Sequence, residues 1–248
     1  MSELLEYYCH KYNSPEFIEA DPISIPHRYT GNTDREISGF LAATFAWGQR
    51  AVIIKNGLRF MQLMDDNPYE FIMHASATEI KRVQGFVHRT FNGADAVYFI
   101  RGLRHIYTKY GGMEGLFAKE LKSGKSMGEA ISLFRGIFFE HKSPGRTAKH
   151  IADPLAGSTA KRINMFLRWM VRCDNAGVDF GIWKSIPASS LMCPLDVHSG
   201  RVARELGLLM SKQNNWKAVD ELTGSLRIYD PLDPVKYDFA LFGLGVNG

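Results

Sequence analysis

Cysteine is scarce in this chain, with only Cys9, Cys173 and Cys193 among 248 residues. Three scattered cysteines cannot build a disulfide framework, and they exclude a four-cysteine iron–sulfur cluster. Cys9-His10 and the other cysteines show no metal-ligand spacing, so no metal is expected. Long apolar runs are missing as well, none reaching the roughly 18–20 residues that span a bilayer. Residues 1–10 contain Glu3 and Glu6 but no basic start and no long apolar stretch, so they do not read as a signal peptide. A reduced, cytoplasmic, membrane-free setting is the expectation. There is no internal repeat, no low-complexity tract and no series of alternating strand segments. Charge is nearly balanced, 30 Lys and Arg against 26 Asp and Glu, for a net +4. That excess suits a polyanionic partner without requiring one.

The hydrophobic content is 45% and the charged content 23%, ordinary for a chain that buries a large core. The spacing predicts helices nearly throughout, hence an all-α fold. Leu4–Asn13 opens the series, and Asp21–Pro26 reads as an extended connection. Thr33-Asp34-Arg35-Glu36 has the form of a capping box, opening a helix with Ile37, Phe40, Leu41 and Thr44 at core spacing that stops near Gly48. Helices follow over 50–65, 69–75, 94–109 and 113–122. A second capping box, Ser126 to Glu129, opens one to about Phe139. A connection with Pro144, Gly145 and Pro154 then leads to Ala156. Past Lys161, the residues Ile163, Phe166, Leu167, Met170 and Val171 form a buried stripe. Lys161, Met165, Arg168 and Arg172 lie on another face, expected to meet solvent or ligand. Residues 179–194 read as an irregular loop. Asp196 then caps a helix to Leu206, ended by Gly207. Helices over 215–228 and 233–244 complete the chain.

Two stretches carry the chemistry. Ala156-Gly157-Ser158-Thr159-Ala160-Lys161-Arg162 is a tight turn feeding a helix, with a lysine on its first turn. Met192-Cys193-Pro194-Leu195-Asp196-Val197-His198 places a carboxylate at the next N-cap. An amine nucleophile can form a Schiff base with a sugar C1′, and a carboxylate can stabilise a cationic sugar or shuttle protons. Such an amine must be neutral to attack, whereas an unperturbed lysine, at about 10.4, is charged. Gly157 permits close approach, and amides at Ser158, Thr159 and Ala160 can face a phosphate, with Arg162 and Arg168 adding charge. Each stretch also has a plain structural reading, as a solvated surface lysine and as an aspartate that only caps a helix. Gly124-Lys125-Ser126 imitates the end of a P-loop, but Lys119 stands where that pattern needs glycine.

Gly157-Ser158-Thr159-Ala160-Lys161 resembles the G-x-G-x-K hairpin of the helix-hairpin-helix DNA glycosylases, the superfamily of endonuclease III and the 8-oxoguanine glycosylases, with Thr159 in place of the second glycine. Pro194-Leu195-Asp196-Val197-His198 resembles their P-x-D-x-H segment at every specified position. The long connection from Cys173 to Met192 is more like that of the archaeal 8-oxoguanine glycosylases. Over nearly the whole chain, the sequence around Ser158–Arg172 also looks like a bacterial family of unknown function placed in that superfamily.

The resemblance implies one helical unit of two lobes over 1–248, N- and C-terminal helices sharing a lobe, with the helix-hairpin-helix at about 143–172. It implies Lys161 as nucleophile and Asp196 as catalytic carboxylate, acting without cofactor on a damaged or abasic nucleotide of duplex DNA. Gln49, at a helix junction, corresponds to a glutamine that enters the gap left by the flipped base. Trp47, Trp169 and Trp183 are candidates for stacking on that base. A monomer is expected. A nucleic-acid-binding module that does not cleave, and a protein-interaction scaffold, stay open as alternatives.

Overall fold

The computed structural model describes residues 1–141 and 145–247, and the start of the expected hairpin region at 143–144 lies outside them. The helices are α1 (Ser2–Tyr12), α2 (Pro15–Glu19), α3 (Ser24–His27), α4 (Asn32–Phe45), α5 (Arg50–Leu63), α6 (Pro68–His74) and α7 (Ala77–Arg82), then α8 (Gly93–Tyr110), α9 (Met113–Lys122), α10 (Met127–Phe138), α11 (Lys161–Val171), α12 (Val197–Glu205), α13 (Trp216–Arg227) and α14 (Asp238–Asn247). Short 3-10 turns punctuate them, among them Gly145–His150 and Pro234–Tyr237. Among the described residues there is no sheet, only an isolated bridge between His88 and Phe91. The all-α expectation holds. No helix of the described residues is long and apolar enough to cross a membrane.

α4 sits at the centre. Its Phe40 ring lies 5.5–6.0 Å from the rings of Phe99, Phe134, Phe138 and Phe166, which arrive from α8, α10 and α11. α4 and α11 approach closely at Gly39, where a Cβ would lie 2.9 Å from Met170 Cε. α14 packs between α1 and α12, which brings the two ends of the chain together.

Three local expectations are corrected. Thr33 is not an N-cap: α4 starts at Asn32, with Gly31 as its N-cap, two residues earlier than expected. Glu36 does not reach back to a cap, because it is buried and accepts from Tyr107 Oη (2.7 Å), Met113 N (2.9 Å) and Trp183 Nε1 (2.7 Å). Three donors in the interior outweigh one exposed cap bond. The 21–26 connection is not extended either: Asp21 Oδ1 accepts Ile23 N at 3.0 Å and Ser24 Oγ donates to Asp21 O, which folds Ser24–His27 into one helical turn. Pro26 fits that first turn, where its missing N–H breaks no helical bond. α7, unexpected, begins with a complete capping box of Ser76 and Glu79, a spacing present in the sequence. The box at Ser126 and Glu129 forms as expected.

Candidate active site

Lys161 is the first residue of α11, as expected, and follows a turn in which Gly157 (φ +89°) and Ala160 (φ +48°) both adopt the left-handed conformation. Asp196 is the N-cap of α12, also as expected. Its two oxygens divide the tasks. Oδ1 accepts His198 N at 2.9 Å and Ser199 N at 3.0 Å, while Oδ2 faces Lys161 Nζ at 3.6 Å. Partial burial raises the Asp196 pKa, but the charge of Lys161 and the capping amides outweigh it and hold the carboxyl below its ordinary value. Asp196 is therefore an anion at neutral pH.

The pair opens onto a cleft of about 690 Å³ whose walls include Trp47, Arg50, Phe239 and Phe242, a size that suits a small ligand or one extruded group. At its floor are three buried charged side chains, Asp21, Arg168 and Asp238. Burial pushes Asp238 up to about 6 against the pull of Arg168, and burial likewise raises Asp21. Among the described residues no three His, Cys, Asp or Glu side chains converge as a metal-binding group would.

Several predicted site residues are placed differently from expectation. The α11 face bearing Arg168 and Arg172 is not open to solvent. Each arginine is 3% exposed. Arg168 pairs with Asp179 and Asp238, and Arg172 with Asp174, Asp179 and Asp233. A guanidinium held between buried carboxylates is not available to a phosphate. Arg162 turns inward too, donating to Thr44 O and, at 3.3 Å, to His150 O. Burial lowers its pKa to about 10. The hairpin closes on itself: Ser158 N donates to Asp153 O and Ala160 N to Ser158 Oγ, so these two amides already have partners. What precedes the turn is the 3-10 segment Gly145–His150 rather than an α-helix.

Trp169 is wholly buried in the core and does not reach the cleft. Trp183 donates to Glu36 beside a separate cavity of about 300 Å³. Of the three tryptophans only Trp47 lines the cleft, and its Nε1 is buried without a partner. Gln49 is exposed at the N-cap of α5, between Gly48 and Arg50 of the cleft wall. Asp21, Arg50, Asp238, Phe239 and Phe242 escaped the sequence reading. Asp238 begins α14, but a helix-start acid is too common a signal to mark a site.

No curated protein and no solved structure matches the chain. Residues 21–247 match one family, described as "Protein of unknown function (DUF2400)", and the chain belongs to that family.

Proposed function

We propose that the chain is a DNA glycosylase/AP-lyase-like protein of base-excision repair, acting on a damaged or abasic nucleotide of duplex DNA through Lys161 and Asp196. The observation that carries this reading is an amine 3.6 Å from an anionic N-cap carboxylate, on the wall of a cleft of about 690 Å³. In this mechanism the target base leaves the stack and enters the cleft. The Lys161 nitrogen, having given up a proton to water, bonds to C1′ as the C1′–N bond breaks. The base departs with the bonding pair and takes a proton. Asp196 stabilises the positive charge that develops on the sugar. Ring opening gives a Schiff base, and loss of a C2′ proton expels the 3′ phosphate. Trp47 stacks on the base, and Gln49 enters the gap in the duplex. The exposed edge of the turn, Gly157 to Thr159, meets the DNA backbone. The cleft lies between the 46–50 turn with α5 on one side and α11, α12 and α14 on the other, which supports a division into two lobes.

Borohydride reduction of the Schiff base should link the protein covalently to an abasic or lesion-containing duplex, and Lys161→Gln should abolish the link while circular dichroism stays unchanged. Trapping that persists in Lys161→Gln places the nucleophile elsewhere. A wild-type protein that is never trapped and never releases a base, yet binds DNA, selects the non-cleaving module of the same fold. One that binds no nucleic acid selects the scaffold.

A further inference from the structure

Arg168 of α11 and Arg172, its C-cap, are buried and paired with carboxylates, so a polyanion must be gripped elsewhere. The structure offers two guanidiniums with a different setting. Arg50 lies over the Phe242 ring, 4.4 Å from its centroid, and Arg89 over the Trp47 ring at 4.6 Å. Both rings belong to the cleft wall. Arg82, Arg168 and Arg172 pair with carboxylates, and Arg104 and Arg162 donate to carbonyls. Among the described residues, neither the Arg50 nor the Arg89 side chain makes a hydrogen bond or an ion pair. Each has a face covered by an aromatic ring and its N–H edges without a protein acceptor.

Arg89 is held in place with some force. It has a left-handed backbone (φ +54°) at the tip of the turn that His88 and Phe91 close with two backbone bonds, at 2.8 and 2.9 Å. A residue other than glycine in that conformation is uncommon and clusters at functional sites. His88 anchors the turn, donating from Nε2 to Phe45 O at 3.0 Å and accepting at Nδ1 from Asn56 Nδ2 at 3.0 Å. Opposite the tip, Gly48 has φ +110°, and a Cβ there would lie 2.7 Å from Arg89 Nη1. The missing side chain is what lets the guanidinium lie against the 46–50 turn.

A planar guanidinium, stacked and with free edges, is preorganised for bidentate contact with a phosphate. We infer that Arg50 and Arg89 bind two phosphodiesters of the DNA strand whose nucleotide enters the cleft, one from each side of the 46–50 turn. This rests on the DNA reading above and names the cations that the resemblance had assigned to Arg162 and Arg168.

The test is a salt titration of binding to a fluorescent duplex carrying a reduced abasic sugar, which cannot react. Each released phosphate contact lowers the log–log salt slope by about one. Arg50→Gln and Arg89→Gln should each do so, and the double variant should lose about two. Lys119→Gln, on α9 away from the cleft, should leave the slope alone. Arg50→Lys and Arg89→Lys keep the charge and should restore the slope, with affinity several-fold below wild type because the stacked fork is gone. Unchanged melting temperatures exclude misfolding. A double glutamine variant with the wild-type slope overturns the inference even if borohydride trapping succeeds. Slope changes without trapping uphold it while the lysine chemistry fails. A wild type with no salt-dependent duplex binding, or one that grips only RNA, overturns the DNA assignment and the inference with it.

Discussion

Asp196 Oδ1 holds the start of α12 through the amides of His198 and Ser199, and Oδ2 is left for Lys161. Structure and chemistry can be separated there by one substitution. Asparagine caps about as well as aspartate, so Asp196→Asn should keep the melting temperature. It removes the anion, and base release should fall by about 10²–10³, as for one lost electrostatic stabiliser. Binding to a reduced abasic duplex should change little. Asp196→Ala should lose the cap too, at about 1 kcal/mol of stability. Equal base release by Asp196→Asn and wild type would reduce Asp196 to a cap. Arg168 is a residue of another kind. Bonded to Asp238 under the cleft and stacked 4.2 Å from the Phe239 centroid, it fixes the cleft floor.

Behind the start of α11 lies the 3-10 segment Gly145–His150, which Arg162, the neighbour of Lys161, reaches through His150 O. It is tied to α8 through Asp95, whose carboxylate accepts from Thr147 Oγ1 at 2.6 Å and from Asn92 N at 2.9 Å. His150 Nε2 lies 3.3 Å from Asp95 Oδ2, close enough for an ion pair but without hydrogen-bond geometry. Burial dominates at this imidazole and pushes its pKa down from 6.5 to about 4, with Arg162 and Lys149 acting in the same direction and Asp95 against them. The unfolded chain therefore binds more protons than the folded one between those values. Stability from this group is complete above pH 6.5 and is lost as pH falls through about 4. Urea midpoints measured at pH 7 and pH 5 should fall farther for wild type than for His150→Gln. Equal falls would mean that the imidazole is not kept neutral by the fold.

Across the whole molecule, the cleft depends on a helix from the far end of the chain. α14 brings Asp238, Phe239 and Phe242 to the site and is backed by α1 and α12. At Gly243 a Cβ would lie 1.9 Å from the Tyr12 ring, so the α1–α14 crossing needs a residue without a side chain. Alanine favours a helix over glycine by about 1 kcal/mol. Overpacking here should outweigh that gain, and Gly243→Ala should be less stable by about 1–3 kcal/mol in chemical denaturation. A Gly243→Ala protein more stable than wild type would show that Tyr12 moves aside freely.

Most helices, the two helix starts at Lys161 and Asp196 and the buried stripe of α11 were legible in the sequence, because each depends on residues within about one turn of one another. The 3.6-residue period and the capping side chain are local quantities. Which charges are buried was decided only by the tertiary structure. Arg168 and Arg172 look like a solvated basic face until Asp179 folds back from the following loop and Asp233 and Asp238 arrive from the far end of the chain to neutralise them. Trp169 and Trp183 looked as free to stack as Trp47, and only packing separates them. The cleft itself is assembled from α2, α5, α11, α12 and α14, and Arg50 and Arg89 are set apart by covering an aromatic ring of its wall without a side-chain partner. Burial and pairing of a charge are set by long-range contacts, and no pattern of neighbouring residues encodes them.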